Sequence, residues 1–196
     1  MRGDSLHNPE IQARRSNLLV SETELTLLNF YRASELHGGL ILGQMVRRTR
    51  EPDLIARLTR HSAEEMMHAL WWTETIARLG GCTSPVRNTY QNRCVAKAGA
   101  PTSLLEAIAL TSAFEHRIYR YFTVHLRQPG VHPIVAATLR RMLVDERWHL
   151  TWIKEWLREQ TTIDARKVAS LTGRYSAADQ LICDELSIAF GFRMAA

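Results

Sequence analysis

The chain has no run approaching the roughly 18 uninterrupted apolar residues that a membrane-spanning helix needs, although 45% of its 196 residues are apolar. Its first residues, Met1-Arg2-Gly3-Asp4-Ser5, carry no apolar signal-peptide core, so the expected compartment is the cytoplasm. Cysteine is scarce: Cys82, Cys94 and Cys183 are an odd number without Cys-x-x-Cys spacing. That argues against a disulfide scaffold and leaves free thiols as the expectation, with a Cys82–Cys94 link across one loop as the alternative. The period-two alternation of β-strands is missing too. The net charge of +5 is a modest excess, which a solvated basic surface explains and which also suits nucleic acid, anionic substrates or a peripheral contact with anionic lipid.

What is present is helical periodicity. Residues 1–20 read as an arm. Ser21-x-x-Glu24 is a capping-box pattern, opening a first helix over 22–49 with the apolar-side stripe Leu28, Tyr31, Glu35, Gly38, Leu42, Met45. Glu51-Pro52-Asp53 turns the chain into a second helix, 53–79, whose stripe holds Leu54, Leu58, His61, Glu65, His68, Trp72 and Ile76. Gly80-Gly81 ends it. Residues 82–101 read as a long connection. Ser103-x-x-Glu106 opens a third helix to about 127, with Ile108, Glu115, Tyr119 and Phe122 on one side, and Pro133 starts a fourth, 133–159, with Met142, Glu146, His149 and Ile153. A polar stretch with Gly173 precedes a short fifth helix over 176–190, ending at Gly191. The expectation is an all-α chain: an arm over 1–20, a four-helix bundle over 21–160, and an extension over 161–196.

Two phrases carry chemistry, Glu64-Glu65-Met66-Met67-His68 and Asp145-Glu146-Arg147-Trp148-His149. Each contains Glu-x-x-His, which puts a carboxylate and an imidazole on the same helix face. With 14 Glu and 8 His in the chain, chance supplies about 0.6 such pairs, so one alone would mean little. Here each is preceded by another inward glutamate on the helix before it, Glu35 and Glu115. Counted from the turns, Glu35 and Glu65 both stand about 18–21 Å up their hairpin, and Glu115 and Glu146 match in the second. The connection 82–101 can extend to roughly 66–72 Å, enough to run the length of a helix of about 39 Å and start the third helix parallel to the second. All six side chains then share one layer.

Such a layer is costly without compensation, since each unpaired buried charge costs several kcal/mol. Glu35, Glu65, Glu115 and Glu146 sum to four negative charges, which two divalent cations balance. Mixed carboxylate and imidazole donors suit iron or manganese. Glu64 and Asp145, each beside a motif glutamate, are placed to accept the outer ring N–H of the histidine in the opposite half. His61 points inward one turn before Glu65 and reads as a satisfied structural histidine. Tyr31 and Tyr119, one turn from Glu35 and Glu115, read as core residues or as hydrogen-bond partners of those carboxylates. Gly38-Gly39 either opens a cavity beside Glu35 or lets two helices close.

On these residues the chain resembles the ferritin-like di-iron carboxylate proteins, the pattern Glu35, Glu65-x-x-His68, Glu115, Glu146-x-x-His149 covering 22–159. The resemblance implies that Glu35 and Glu115 each cap one metal, that Glu65 and Glu146 bridge both, and that His68 and His149 each bind one. Ala33-Ser34-Glu35-Leu36-His37-Gly38-Gly39 with Gly43-Gln44-Met45 is similar to the first helix of demethoxyubiquinone hydroxylases. The tRNA-modifying di-iron hydroxylases have comparable spacing, and His68-Ala69 through Leu79-Gly80-Gly81 resembles bacterioferritin. The implied cofactor is two iron ions, with a manganese–iron or two-manganese pair as the variant and O₂ as co-substrate. The leading function is an enzyme that activates O₂ to hydroxylate or oxidise a small organic substrate, fed by a reductase and acting as a monomer or homodimer. The alternatives are ferritin-type iron oxidation and storage, or peroxide reduction or dismutation. The missing Cys-x-x-Cys pairs count against a self-contained rubrerythrin.

Overall fold

The computed structural model of the chain describes residues 20–190. The expected N-terminal arm lies outside them except for its last residue, as does Gly191. The described residues form five helices and no strand: α1 (Glu22–Val46), α2 (Pro52–Arg78), α3 (Tyr90–Ala98), α4 (Leu104–Leu126) and α5 (Pro133–Phe190). The chain is all-α, in an arrangement compatible with a ferritin-like bundle.

The helices start where their sequences supply caps. Ser21 Oγ accepts from the Glu24 amide at 3.1 Å, and Ser103 Oγ from the Glu106 amide at 3.2 Å, each satisfying an amide that has no partner in the first turn. Pro52 and Pro133 occupy first-turn positions, where the missing N–H costs nothing. Gly80 follows α2 with φ of 76°, the left-handed conformation that closes a helix end at little cost for glycine.

Two features differ from the expectation. The connection 82–101 is not irregular throughout, because Tyr90–Ala98 forms α3, capped by Thr89 Oγ1 on the Asn92 amide at 3.3 Å and stopped at Gly99. The fourth helix does not give way to a polar loop either. Helical structure continues to Phe190, interrupted only at Asp164, whose φ of −150° and ψ of 83° leave the helical region. The Asp164 carboxylate accepts from the Lys167 amide at 2.9 Å and so caps the next segment. Gly173 lies inside that segment.

α1 packs mainly on α2, α4 mainly on α5, and α2 also meets α5. A buried Thr75–Thr138 hydroxyl pair, 2.6 Å apart, joins the last two. Tyr31, Trp72 and Phe122 form an aromatic core, with ring centroids 5.1 to 5.8 Å apart. α3 rests against α1, α4 and the second part of α5. Asp179 ties these together, accepting from the Arg117 guanidinium and the Tyr90 hydroxyl, each at 2.8 Å. Cys82, Cys94 and Cys183 are free thiols. Among the described residues no helix is long and apolar enough to cross a membrane.

Candidate metal centre

Each of the four long helices contributes to one buried cluster: Glu35 from α1, Glu65 and His68 from α2, Glu115 from α4, Glu146 and His149 from α5. All six are at most 1% exposed, although carboxylates are almost never buried without partners. The i,i+3 spacing of each Glu-x-x-His phrase turns both side chains inward on one face, as helix geometry requires.

Distances divide the cluster into two halves. Around His68, Nδ1 lies 3.7 Å from Glu35 Oε2 and 3.2 Å from Glu146 Oε1. Around His149, Nδ1 lies 3.4 Å from Glu115 Oε2 and 3.2 Å from Glu146 Oε2. Glu146 therefore turns one oxygen to each histidine. Glu65 Oε1 also sits between them, 3.9 Å from His68 Nδ1 and 3.5 Å from His149 Nδ1. Two four-residue groups have donor atoms within 4.8 Å of one another, Glu35-Glu65-His68-Glu146 and His61-Glu65-Glu115-His149, and Glu65 belongs to both.

The outer ring nitrogens decide which atoms face the cluster as donors of electron pairs. His68 Nε2 lies 3.3 Å from Asp145 Oδ2, and His149 Nε2 lies 3.0 Å from Glu64 Oε2. Each acid comes from the helix bearing the other histidine. A carboxylate accepts, so it holds the ring proton on Nε2 and leaves the Nδ1 lone pair pointing inward, the tautomer a metal-binding imidazole needs. Glu64 is also held by Arg60 Nε at 2.8 Å. The guanidinium of Arg60 in turn lies 3.8 Å above the Trp148 ring.

His61 differs. The Trp152 indole donates to His61 Nδ1 at 3.2 Å. An indole nitrogen only donates, so Nδ1 keeps its lone pair and the proton of the neutral ring sits on Nε2. That nitrogen faces Glu115 Oε1 at 3.2 Å and Glu65 Oε1 at 3.4 Å. By distance His61 completes a donor group; by tautomer its Nε2 carries a proton rather than a lone pair, and that N–H lies beside the carboxylates without a hydrogen bond to either. Its ring stacks on His149 with centroids 3.6 Å apart. Burial, then the neighbouring His149, push its pKa well below the usual value, keeping it neutral. The sequence placed His61 inward but could not give it this role, which depends on a contact with α5. Its one signal was the i,i+4 spacing to Glu65.

The electrostatics are those of a cluster lacking positive charge at its middle. Burial pushes the Glu65 carboxyl well up, and the charges of Glu35, Glu115 and Glu146 add to it. Burial also raises Glu35, with His68 partly opposing it. For His68 and His149 burial alone would lower the pKa. The surrounding carboxylates outweigh it and raise both well above the ordinary value. The hydrogen bond to His68 lowers Asp145. Burial would raise Glu64, but bonds to His149 and Arg60 bring it down.

The donors present fit a pair of metal ions. Both oxygens of Glu35, Glu65 and Glu115, with Glu146 Oε1 and His68 Nδ1, are buried without a hydrogen-bond partner. Buried polar atoms are normally paired, and so many orphans converging at one place mark room for cations. Gly38 helps make that room: a Cβ there would come within 2.9 Å of Glu65 Oε2. At Gly39 a Cβ would lie 3.1 Å from the Ser62 carbonyl of α2, so this glycine serves the close approach of two helices. Tyr31 packs in the aromatic core and its hydroxyl bonds nothing in the cluster. Tyr119 is half-buried, and no hydrogen bond joins its hydroxyl to the cluster. No protein-family model matches the chain, and no curated protein matches its sequence. The geometry alone identifies a possible two-metal site.

Proposed function

We propose that the protein binds two transition-metal ions, iron foremost, and uses them to activate O₂ for the hydroxylation or oxidation of a small organic molecule. The observation that carries this reading is the set of unpaired carboxylate oxygens and inward imidazole nitrogens between four helices. Glu35 and His68 would hold one ion, Glu115 and His149 the other, and Glu65 and Glu146 would lie between them. When bound, such a pair supplies electrons to O₂ and a Lewis-acidic surface for the product. The chain's own residues do the rest. Asp145 and Glu64 keep both imidazoles in the binding tautomer. His61 places an N–H beside the Glu65–Glu115 pair. The surrounding helices exclude bulk water. Electrons would come from a separate reductase, since Cys82, Cys94 and Cys183 provide no iron–sulfur module. Manganese in one or both positions satisfies the same donors. A monomer or homodimer in the cytoplasm is the setting this reading assumes. tRNA is a possible substrate only through the basic charge.

The test has two stages. Metal analysis of the purified protein should find close to two transition ions per chain. The protein loaded anaerobically with Fe(II) and given O₂ should then add one oxygen to a compound in a cell extract, read as a mass increase of 16 Da. Less than one bound ion per chain would sink the site. A particle of hundreds of kilodaltons that oxidises and retains iron with no organic product would replace the reading with iron storage. Rapid loss of added peroxide without an organic product would replace it with peroxide chemistry.

A further inference from the structure

Gly38, Ile41 and Met45 follow one another along one face of α1, Arg48 lies in the turn just after it, and two voids lie beside them. The inner one, about 10 Å³, is bounded by Gly38, Gln91 and Glu115. The outer one, about 180 Å³, runs between Met45, Ala107 and Val95 to Gln44 and Arg48. Ile41 and Leu110 are walls of both. The voids are thus neighbours that share those two walls, the outer one reaching the basic turn after α1 and the inner one the carboxylate of Glu115.

The two voids differ in chemistry at their far ends. Gln91 is buried, and its Nε2 donates to the Ser34 carbonyl at 3.0 Å. That contact fixes the amide orientation and leaves Oε1 as an acceptor with no partner. A buried acceptor beside a void calls for a donor, and a void of about 10 Å³ takes a single water-sized group. At the other end Arg48 is exposed and belongs to no ion pair among the described residues. Arg47 and Arg50 in the same turn are exposed as well, which draws anions toward this mouth. Between the ends the walls are apolar. A cavity of about 150 Å³ lined by apolar side chains accommodates benzene, so the outer compartment takes one ring and little more. From Gly38 to the end of α1 at Val46 is eight residues, about 12 Å of helix axis, and Arg48 stands in the turn beyond it. A ring with polar groups at opposite ends, together with the arginine side chain, covers that span.

We infer that the two voids open into one another as the substrate site of the metal centre, and that its occupant is a single-ring organic acid with a hydroxyl or amino group opposite the carboxylate. This rests on the function proposed above. The carboxylate pairs with Arg48, the ring lies among Met45, Ala107 and Leu110, and the donor group reaches Gln91 Oε1 beside Glu115. The acid end stays at the protein surface and the donor end lies at Glu115, one of the residues that would hold a metal ion.

The probes are 4-hydroxybenzoate, benzoate and phenol, titrated into the full chain by ligand-observed NMR, with metal content measured separately. 4-Hydroxybenzoate should bind at least tenfold more tightly than either benzoate, which lacks the inner donor, or phenol, which lacks the carboxylate. Arg48→Leu should weaken 4-hydroxybenzoate at least tenfold and leave phenol unchanged. Ile41→Trp should abolish binding of all three. Arg48 is exposed, so its variant keeps the fold and decides the matter even if Ile41→Trp does not. Binding that is absent for all three probes, or unchanged by Arg48→Leu, overturns the assignment while two bound metals would leave the centre standing. Binding of the acid to a chain that takes up no metal would leave the pocket but overturn its role as the substrate site of a metal centre.

Discussion

The half of the cluster around His68 and the half around His149 are built to one plan, yet they are not equivalent. In each, a glutamate from the preceding helix faces a Glu-x-x-His phrase, and an acid from the other half holds the outer ring nitrogen. The His149 half adds two things. Its outer acid, Glu64, is shared with Arg60, and its imidazole stacks on a third histidine, His61. The His68 half has only the unshared Asp145. Duplicated ligands set two binding positions; the unshared neighbours make them chemically distinct. The void lined by Glu115 also lies on the His149 side, so the more elaborate half is the one beside open space.

The plan common to both halves is the easiest to break. Glu65→Ala together with Glu146→Ala removes both carboxylates that lie between the histidines, and bound metal should fall from two ions per chain to none. Glu35→Ala and Glu115→Ala should each leave one ion, at opposite positions, read by metal analysis and by the spectrum of the remaining ion. Equal loss of both ions from either single variant would mean that the halves are not separable.

The outer acids sharpen the contrast. Asp145→Asn and Glu64→Gln should lower metal affinity by about 10- to 100-fold. The larger effect is expected for Asp145, because Arg60 already withdraws part of the Glu64 charge. Competition with a chelator measures both.

Proton linkage gives a third contrast, between metal-free and metal-loaded protein. His68 and His149 have raised pKa values in the folded state. Their contribution to stability is present below the ordinary value of about 6.5 and is lost as pH rises through the folded values. Burial and like charge raise Glu65, so the folded chain holds protons that the unfolded chain has released, which again lowers stability as pH rises. Asp145 and Glu64 act in the opposite sense, but only in acid, as pH falls through their depressed values. The metal-free protein should therefore lose thermal stability as pH rises above the ordinary carboxyl and imidazole values. The stabilisation that metal adds should grow over the same range, because ligation needs deprotonated donors.

The smallest effect belongs to His61. His61→Gln should retain two ions per chain, whereas His149→Gln should lose one, though both residues lie in the same four-residue group. Loss of an ion from His61→Gln would mean that Trp152 does not set its tautomer.

Much of this was legible in the sequence, because helical periodicity and capping are local. The Ser21 and Ser103 caps, the prolines that open α2 and α5, and the inward direction of all six donors follow from spacings of three or four residues. The crossing of Asp145 and Glu64 to opposite histidines was readable from the doubling of the phrases. α3 was not: nine residues with three buried side chains carry too little pattern, and the helix is held by tertiary contacts such as Tyr90 to Asp179. The break at Asp164 was hidden in a polar run that is helical on both sides. His61 reads from sequence as a structural histidine, in keeping with its bond from Trp152, but that partner lies 91 residues away and no spacing encodes the contact. The Gln91 acceptor could not be found from sequence for the same reason.

The outward turn of the two Nε2 atoms has a consequence for charge rather than for binding. Asp145 and Glu64 are 26% and 21% exposed while the histidines they touch are sealed. Each imidazole thus connects the interior to solvent through one hydrogen bond. Because each ring keeps its Nε2 proton at one of these acids, a change of charge on the acid is felt at the inner nitrogen through the ring. The same two acids that hold the rings in place are thus partly exposed points through which solvent conditions reach a buried cluster.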